Sequence, residues 1–385
     1  MNAPTEGASP ERSASLLYGE IEEELRAAVR DLLADACAPA DVLARVEDGP
    51  SVDTGLWKTL ARDIGVAGLL VPEEAGGAGA SSREAAVVLE ELGRAVAPVP
   101  FLTSSVLATV ALLGSDAAEA GELLGAVASG EVTAAVAVPL AASPYRGVPE
   151  SVEAGPGGAL TGRVTGVAGA DAADVLLVPA AGAVHAVDRA AVAVEPVTSL
   201  DLTRRVATVA LSSAPARVVA DAQAVRRALL AGAGLLASEQ LGVAEWCLTT
   251  TLSYVKERHQ FARPIGSFQA IKHRLADLWL AVVQARAAAR AAADALAGGV
   301  LWSDGASEES RVEVETTIAV AAAWCGDVAV QAAEECIQLH GGIGMTWEHP
   351  AHLYLKRAKA DQIALGTPGD HRAALATLAD LPAPA

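Results

Sequence analysis

The feature that most limits how this chain can fold is the length of its last helical runs. Apolar residues recur at helical spacing, with charges between them, over about Ala222–Arg258, Ser267–Ala297 and Ser307–Leu339, and a further segment starts near Pro350. Each run is too long for a strand, and four long helices in succession bury their apolar stripes most readily as a bundle. Hydrophobic residues make up 52% of the chain and aromatics only 3%. The core is therefore expected to be mainly Ala, Val and Leu, the composition of closely packed helices. At 385 residues the chain exceeds the usual size of a single core, so two or three packed regions are expected.

Ahead of these runs the texture changes twice. From Leu16 to about Ala38, Glu20, Glu22, Glu23, Arg26 and Arg30 interleave with Leu17, Ile21, Leu25, Val29, Leu32 and Leu33, predicting an amphipathic helix with the apolar set inward. Further helices are expected over about Asp53–Ile64, Ser82–Val96 with Ser82 as N-cap, Thr103–Leu113 and Ala117–Ser129. From about Gly130, short β-branched runs alternate with Gly, Pro and Asp clusters: Val132–Val138, Val175–Val178, Val184–Val187, Val192–Val194 and Val206–Leu211. The expected fold class is α+β, with a helical region at 1–129, a β-region at 130–221 and an oligomerising helical bundle at 222–385. Residues 1 to about 13 are expected to be a frayed tail.

The formal net charge of −19 argues against a nucleic-acid partner, since neutralising phosphates needs clustered Lys and Arg. Cys37, Cys247, Cys325 and Cys336 contain no CxxC pair and fit reduced thiols in a cytoplasmic protein. No export signal is read at the N-terminus and no membrane span further on. His340, His349 and His352 straddle a Gly-rich loop with no Cys or carboxylate completing a ligand pattern, so no metal is expected; His340 and His371 are read as polar lining of a ligand site or satisfied surface residues.

Two motifs point to chemistry. The first is YVKERHQFARPIGSFQAIKHRLAD at 254–277, where Pro264 and Gly266 are expected to break one helix before another begins. The second is QLHGGIGMTWEHP at 338–350, whose glycines would let a backbone approach a ligand closely and expose amide donors. Singly, each is equally well a capped, Gly-rich helix end with a core Phe. Together, at this spacing, they resemble the acyl-CoA dehydrogenase family, with Ala262 where that family usually has Gly. Leu56–Leu60, Gly65–Leu69, Val71–Gly79, Glu90–Pro98 and Leu200–Arg205 add further likeness.

The resemblance implies the acyl-CoA dehydrogenase fold, an FAD cofactor and a thioester substrate, acyl-CoA or an acyl group on a carrier. It implies that Arg258 meets the FAD pyrophosphate, Gln260 hydrogen-bonds it and Phe261 packs on the adenosine half, with Gln269, Gln338, Gly341, Gly342 and Thr367 also in contact positions. Arg suits this role because its planar fork matches phosphate. An electron-transfer flavoprotein or oxygen would take the electrons.

The likeness fails at the proton-abstracting carboxylate, which in the family usually precedes a Gly-Thr pair. Here Leu365 precedes Gly366-Thr367. The alternative position falls at about Gly232, and Glu239 is two helical turns away, about 10 Å. The catalytic base is therefore unknown, with Asp370 and His371 the first candidates if the chain works alone. The stretches that would seat the flavin ring, Val136–Arg146 and Gly166–Gly169, also depart from the family pattern. Two functions remain open: FAD-dependent α,β-dehydrogenation of a thioester, alone or in a complex, or a non-catalytic subunit completing the FAD site of a homologue in a hetero-oligomer.

Overall fold

The computed structural model describes residues 16–49, 52–148, 151–303 and 305–381. The tail expected at 1 to about 13 lies outside them. The chain opens with helices α1 (Glu20–Ala36) and α2 (Pro39–Asp48), the latter entered through Pro39 at its first turn and not anticipated from the sequence. Helix α1 corrects the expected apolar face. Leu17 and Ile21 are 76% and 70% exposed, whereas Glu22, Arg26, Val29 and Leu33 are buried. Charge pairing makes this tolerable: Arg26 reaches Glu90 at 2.8 Å and Glu91 at 3.1 Å, and Arg83 reaches Glu22 at 2.7 Å.

The next helices are less regular than the sequence suggests. Helix α3 (Thr54–Lys58), capped by the Asp53 side chain on Leu56 N–H, passes into a π-helical stretch at Thr59–Asp63. Helix α4 (Ser82–Ala95) has Ser81, not Ser82, as its cap: the Ser81 hydroxyl accepts from Arg83 N–H while Ser81 N–H donates to Glu84. A second π-helical stretch, Phe101–Ala108, runs into α5 (Thr109–Leu112), and α6 (Ala118–Ala128) completes this region.

Among the described residues, eight strands follow: β1 (Ala134–Val136), β2 (Val152–Ala154), β3 (Leu160–Ala168), β4 (Val175–Ala180), β5 (Ala183–Asp188), β6 (Ala193–Val197), β7 (Val206–Ala214) and β8 (Arg217–Asp221). They form two four-stranded sheets, ordered β1-β4-β5-β8 and β2-β3-β7-β6, with β1 and β4 parallel and the other pairs antiparallel. Strand β4 faces two cores because side chains alternate across a strand. Leu176 and Val178 join the inter-sheet core with Val164 and Val209, while Val175 and Leu177 join the helical core. Strands β2, β3 and β8 were not anticipated. The glycines that disguised β3 have a reason: Gly166 sits at φ 71° where the register with β7 shifts between Val164 and Val167.

The bundle consists of α7 (Gln223–Glu257), α8 (Gln269–Ala297), α9 (Glu308–His340), α10 (Ala351–Ile363) and α11 (Pro368–Leu378), with a small hairpin, β9 (His259–Gln260) and β10 (Arg263–Pro264), between α7 and α8. Helix α7 is the hub, buried from Leu229 to Ala244. Gly93 and Gly242 allow α4 and α7 to touch, for a Cβ on either would fall within 2.1 Å of the other helix's backbone. Helix α9 is long and apolar enough to cross a membrane by length and composition; it lies in the bundle, where Ile318, Val328 and Cys336 are buried.

Candidate functional site

The site is built where α7 and α9 end beside each other. Helix α7 stops at Glu257, and Arg258 turns extended while its N–H still donates to Tyr254 O at 2.8 Å. The chain then forms the hairpin, in which Gln260 faces Arg263. Its two linking residues, Phe261 and Ala262, have φ 52° and 60°, the left-handed pair that a tight two-residue hairpin turn needs. The turn therefore lies there and not at Pro264 and Gly266. Gly266 serves close packing: a Cβ on it would come 2.9 Å from Val255 O.

Helix α9 ends at His340, and Gly341 adopts φ 63°, ψ −134°, a conformation left almost entirely to glycine. A Cβ on Gly341 or Gly342 would meet nothing within 4 Å, so both backbones are open to a ligand. Gly344 differs: its Cβ would lie 2.5 Å from Ile337 O, so this third glycine packs the loop onto its own helix.

Between these two helix ends lies a cavity of about 740 Å³ lined by Arg258, Gln260, Phe261, Gly341 and Gly342 among others. Five of the eight candidate contact residues thus converge. Gln269 begins α8 directly after the lining residue Phe268; Gln338, whose carbonyl accepts from Gly341 N–H, and Thr367 are exposed and outside the lining. Thr367 caps α11, its hydroxyl accepting from Asp370 N–H at 3.2 Å.

The cavity is basic at its mouth and aromatic at its floor. The Arg258 guanidinium is exposed and makes no ion pair with any described residue, whereas Arg26, Arg83, Arg204 and Arg357 are all neutralised by carboxylates. Phe261 is 85% exposed with its ring edge-on to Phe268, over which Arg263 also lies at 3.8 Å. On the floor, buried His340 stacks on Tyr254 with ring centres 4.3 Å apart, and its Nδ1 donates to Cys336 O at 2.7 Å. Tyr254 opens the first motif but is given no role from the sequence, although it stands four residues before Arg258 and so shares its helix face.

The two positions where the resemblance would place a proton-abstracting carboxylate lie outside this cavity's lining and are apolar. Leu365 is 1% exposed, has φ 54°, and donates its N–H to Leu140 O at 2.7 Å. At Gly232 a Cβ would come 2.4 Å from Leu107 Cδ2 and 3.0 Å from Leu365 Cδ1, so both positions meet in one hydrophobic contact. Glu239 is held in its anionic form by Arg204 and Arg357 despite complete burial. Asp370 is bound by Thr367 and Arg146. Burial pushes the His371 imidazole down to about 4; it is 1% exposed and its Nδ1 lies 3.2 Å from the Tyr145 hydroxyl. The described residues thus fit the anionic nucleotide half of a flavin dinucleotide through an unpaired guanidinium and open glycine backbone. At Leu365 and Gly232, where the resemblance would place a base, they offer apolar packing.

Comparison with known proteins gives concordant matches. The family model for the acyl-CoA dehydrogenase N-terminal domain matches residues 19–131 and that for the C-terminal domain matches 222–377. Acyl-CoA dehydrogenase IpdE2 of Mycobacterium tuberculosis is 35% identical over 353 residues, 91% of this chain and 94% of that protein. Among solved structures, the ChsE4-ChsE5 complex from Mycobacterium tuberculosis aligns with TM-score 0.81 and 30% identity over 96% of this chain and 100% of that one. A single-substitution variant of the Tcur3481-Tcur3483 steroid ACAD aligns with TM-score 0.81 and 30% identity over 95% of this chain and 99% of that one.

Proposed function

The chain belongs to the acyl-CoA dehydrogenase family, and from that premise we propose that it acts in FAD-dependent α,β-dehydrogenation of an acyl thioester as the subunit that holds the nucleotide end of a flavin completed by a second, base-bearing homologue. When bound, FAD supplies the acceptor for the hydride leaving the β-carbon. Arg258 would clamp the pyrophosphate, and the open backbone at Gly341 and Gly342 would let the phosphates come close. Phe261, projecting from its hairpin, would cover the adenosine half.

One observation carries the division of labour: Leu365 and Gly232, the two places for a proton acceptor, are joined by apolar packing. A leucine takes no proton from an α-carbon. Two neighbours of the same fold are named as pairs of proteins, ChsE4 with ChsE5 and Tcur3481 with Tcur3483, which favours an assembly of unlike chains here too. The test is to co-express this chain with a homologue bearing Glu before Gly-Thr and measure native mass and flavin content. About one FAD per pair of unlike chains is expected. A stable homo-oligomer holding one FAD per chain and oxidising a thioester unaided would overturn the proposal in favour of a self-sufficient dehydrogenase.

A further inference from the structure

The joint between the sheets and the bundle contains a charge imbalance that one proton would resolve. Two guanidiniums, Arg204 from the loop after β6 and Arg357 from α10, meet three buried carboxylates: Asp201 from the same loop, Glu239 from α7 and Asp361 from α10. All three acids are 2% exposed or less and Arg357 is 1% exposed, so water does little to screen the excess negative charge.

The hydrogen bonds show which acid carries the excess. Asp201 is satisfied at both oxygens, Oδ2 accepting from Arg357 at 2.7 Å and Oδ1 from Thr203 N–H and Oγ1 at 2.8 and 2.6 Å. Glu239 accepts from both Arg204 and Arg357. Asp361 is different. Its Oδ1 accepts from Arg204 at 2.6 Å, but its Oδ2 is buried without a partner. Gln240, whose Nε2 donates to the Asp361 carbonyl at 3.0 Å, also has a buried unpartnered acceptor, Oε1. Two orphan acceptors on bonded neighbours call for a donor. From α9 the contact receives Gly326, and Asp327 on that helix is taken by Gln362 and Arg372.

We propose that Asp361 is a buried protonation site: the folded protein holds a proton on Asp361 Oδ2 at neutral pH, and that neutral carboxyl closes the joint between the β-region loop and the bundle. The proton leaves two anions opposite two cations and gives Oδ2 a donor for Gln240 Oε1, directly or through a buried water. Burial first and the Glu239 charge second hold the Asp361 carboxyl well above the usual carboxylate range, in the same direction.

The linkage has a definite sign. Because the folded-state affinity for this proton is raised, its stabilisation is complete below the ordinary carboxylate range and is lost as pH climbs through the folded value. Between the two, the folding equilibrium constant should fall about tenfold per pH unit from this group. Asp361→Asn keeps the Oδ1 acceptor and imitates the protonated form. In denaturant unfolding of the full chain from acid to alkaline pH, the variant should match wild type below the ordinary carboxylate range and, above it, lack the decline that this group gives the wild type. A variant weaker than wild type at neutral pH with an unchanged slope would show that Asp361 is ionised and overturn the proposal. Should the variant fail to fold, wild type with aspartate-selective ¹³C labelling decides: one carboxyl resonance must remain in the protonated range at neutral pH, and its absence refutes the site.

Discussion

At the residue scale, Arg258 and Leu365 carry the functional argument. Arg258 lines the cavity and makes no ion pair with any described residue, so Arg258→Ala should weaken flavin binding by about 1.5–3 kcal/mol, the worth of a charge-assisted contact. Lys at 258 should rescue only part, because an ammonium lacks the planar fork. Flavin absorbance of the co-expressed assembly after gel filtration measures it, and equal occupancy in wild type and variant would remove Arg258 from the site. Leu365→Glu would bury a carboxylate at a 1% exposed position whose side chain meets the apolar contact at Gly232, beside a His371 imidazole that burial holds neutral. It should cost about 3 kcal/mol or more of stability, read from the unfolding midpoint, and give no bleaching of flavin by acyl-CoA. Rapid anaerobic bleaching by that variant would mean that Leu365 merely masks a working site.

At the element scale, the hairpin between α7 and α8 is the most strained part of the cavity wall. Its turn needs two left-handed residues, and Ala262 occupies one of them at φ 60°. Left-handed backbone costs an L-residue about 1–2 kcal/mol that glycine avoids. Ala262→Gly should therefore stabilise the protein, by about 1 kcal/mol once the greater chain entropy of unfolded glycine is subtracted. A rise in the unfolding midpoint with unchanged denaturant dependence checks this; a fall would show that the Ala262 methyl makes a contact worth more than the strain. The hairpin also shows how a motif can be legible while its geometry is not. Arg258 and Phe261 are spaced as in the family, but only the strand pairing of Gln260 with Arg263 shows that the turn falls at Phe261 and Ala262.

At the scale of the whole molecule, the bundle leaves several large apolar side chains exposed. Phe261, Met345 and Trp347 at the cavity end are 85%, 79% and 67% exposed, and Trp279, Leu280 and Ile363 on the bundle are more than half exposed. Exposed apolar side chains of this size suit the proposed assembly, in which a partner would cover the nucleotide end. Flavin stoichiometry in the co-expressed complex is the matching measurement, and the Arg258→Ala defect should appear at that shared site. The sequence by itself determined the order of helical, β and bundle regions, because helical periodicity and β-branching are local properties that need no partner. It also carried the two motifs on which the family resemblance rests, and Leu365, which depend on residue identity at fixed spacing. Only the tertiary structure decided that α1 buries Glu22 and Arg26 and exposes Leu17 and Ile21, because the compensating charges on Arg83, Glu90 and Glu91 lie more than sixty residues away. Only it revealed β3, whose glycines serve a bulge, and the union of Leu365 with Gly232 and of Asp201, Glu239 and Asp361. These pairings are set by how helices and sheets dock, and spacing along the chain carries no record of them.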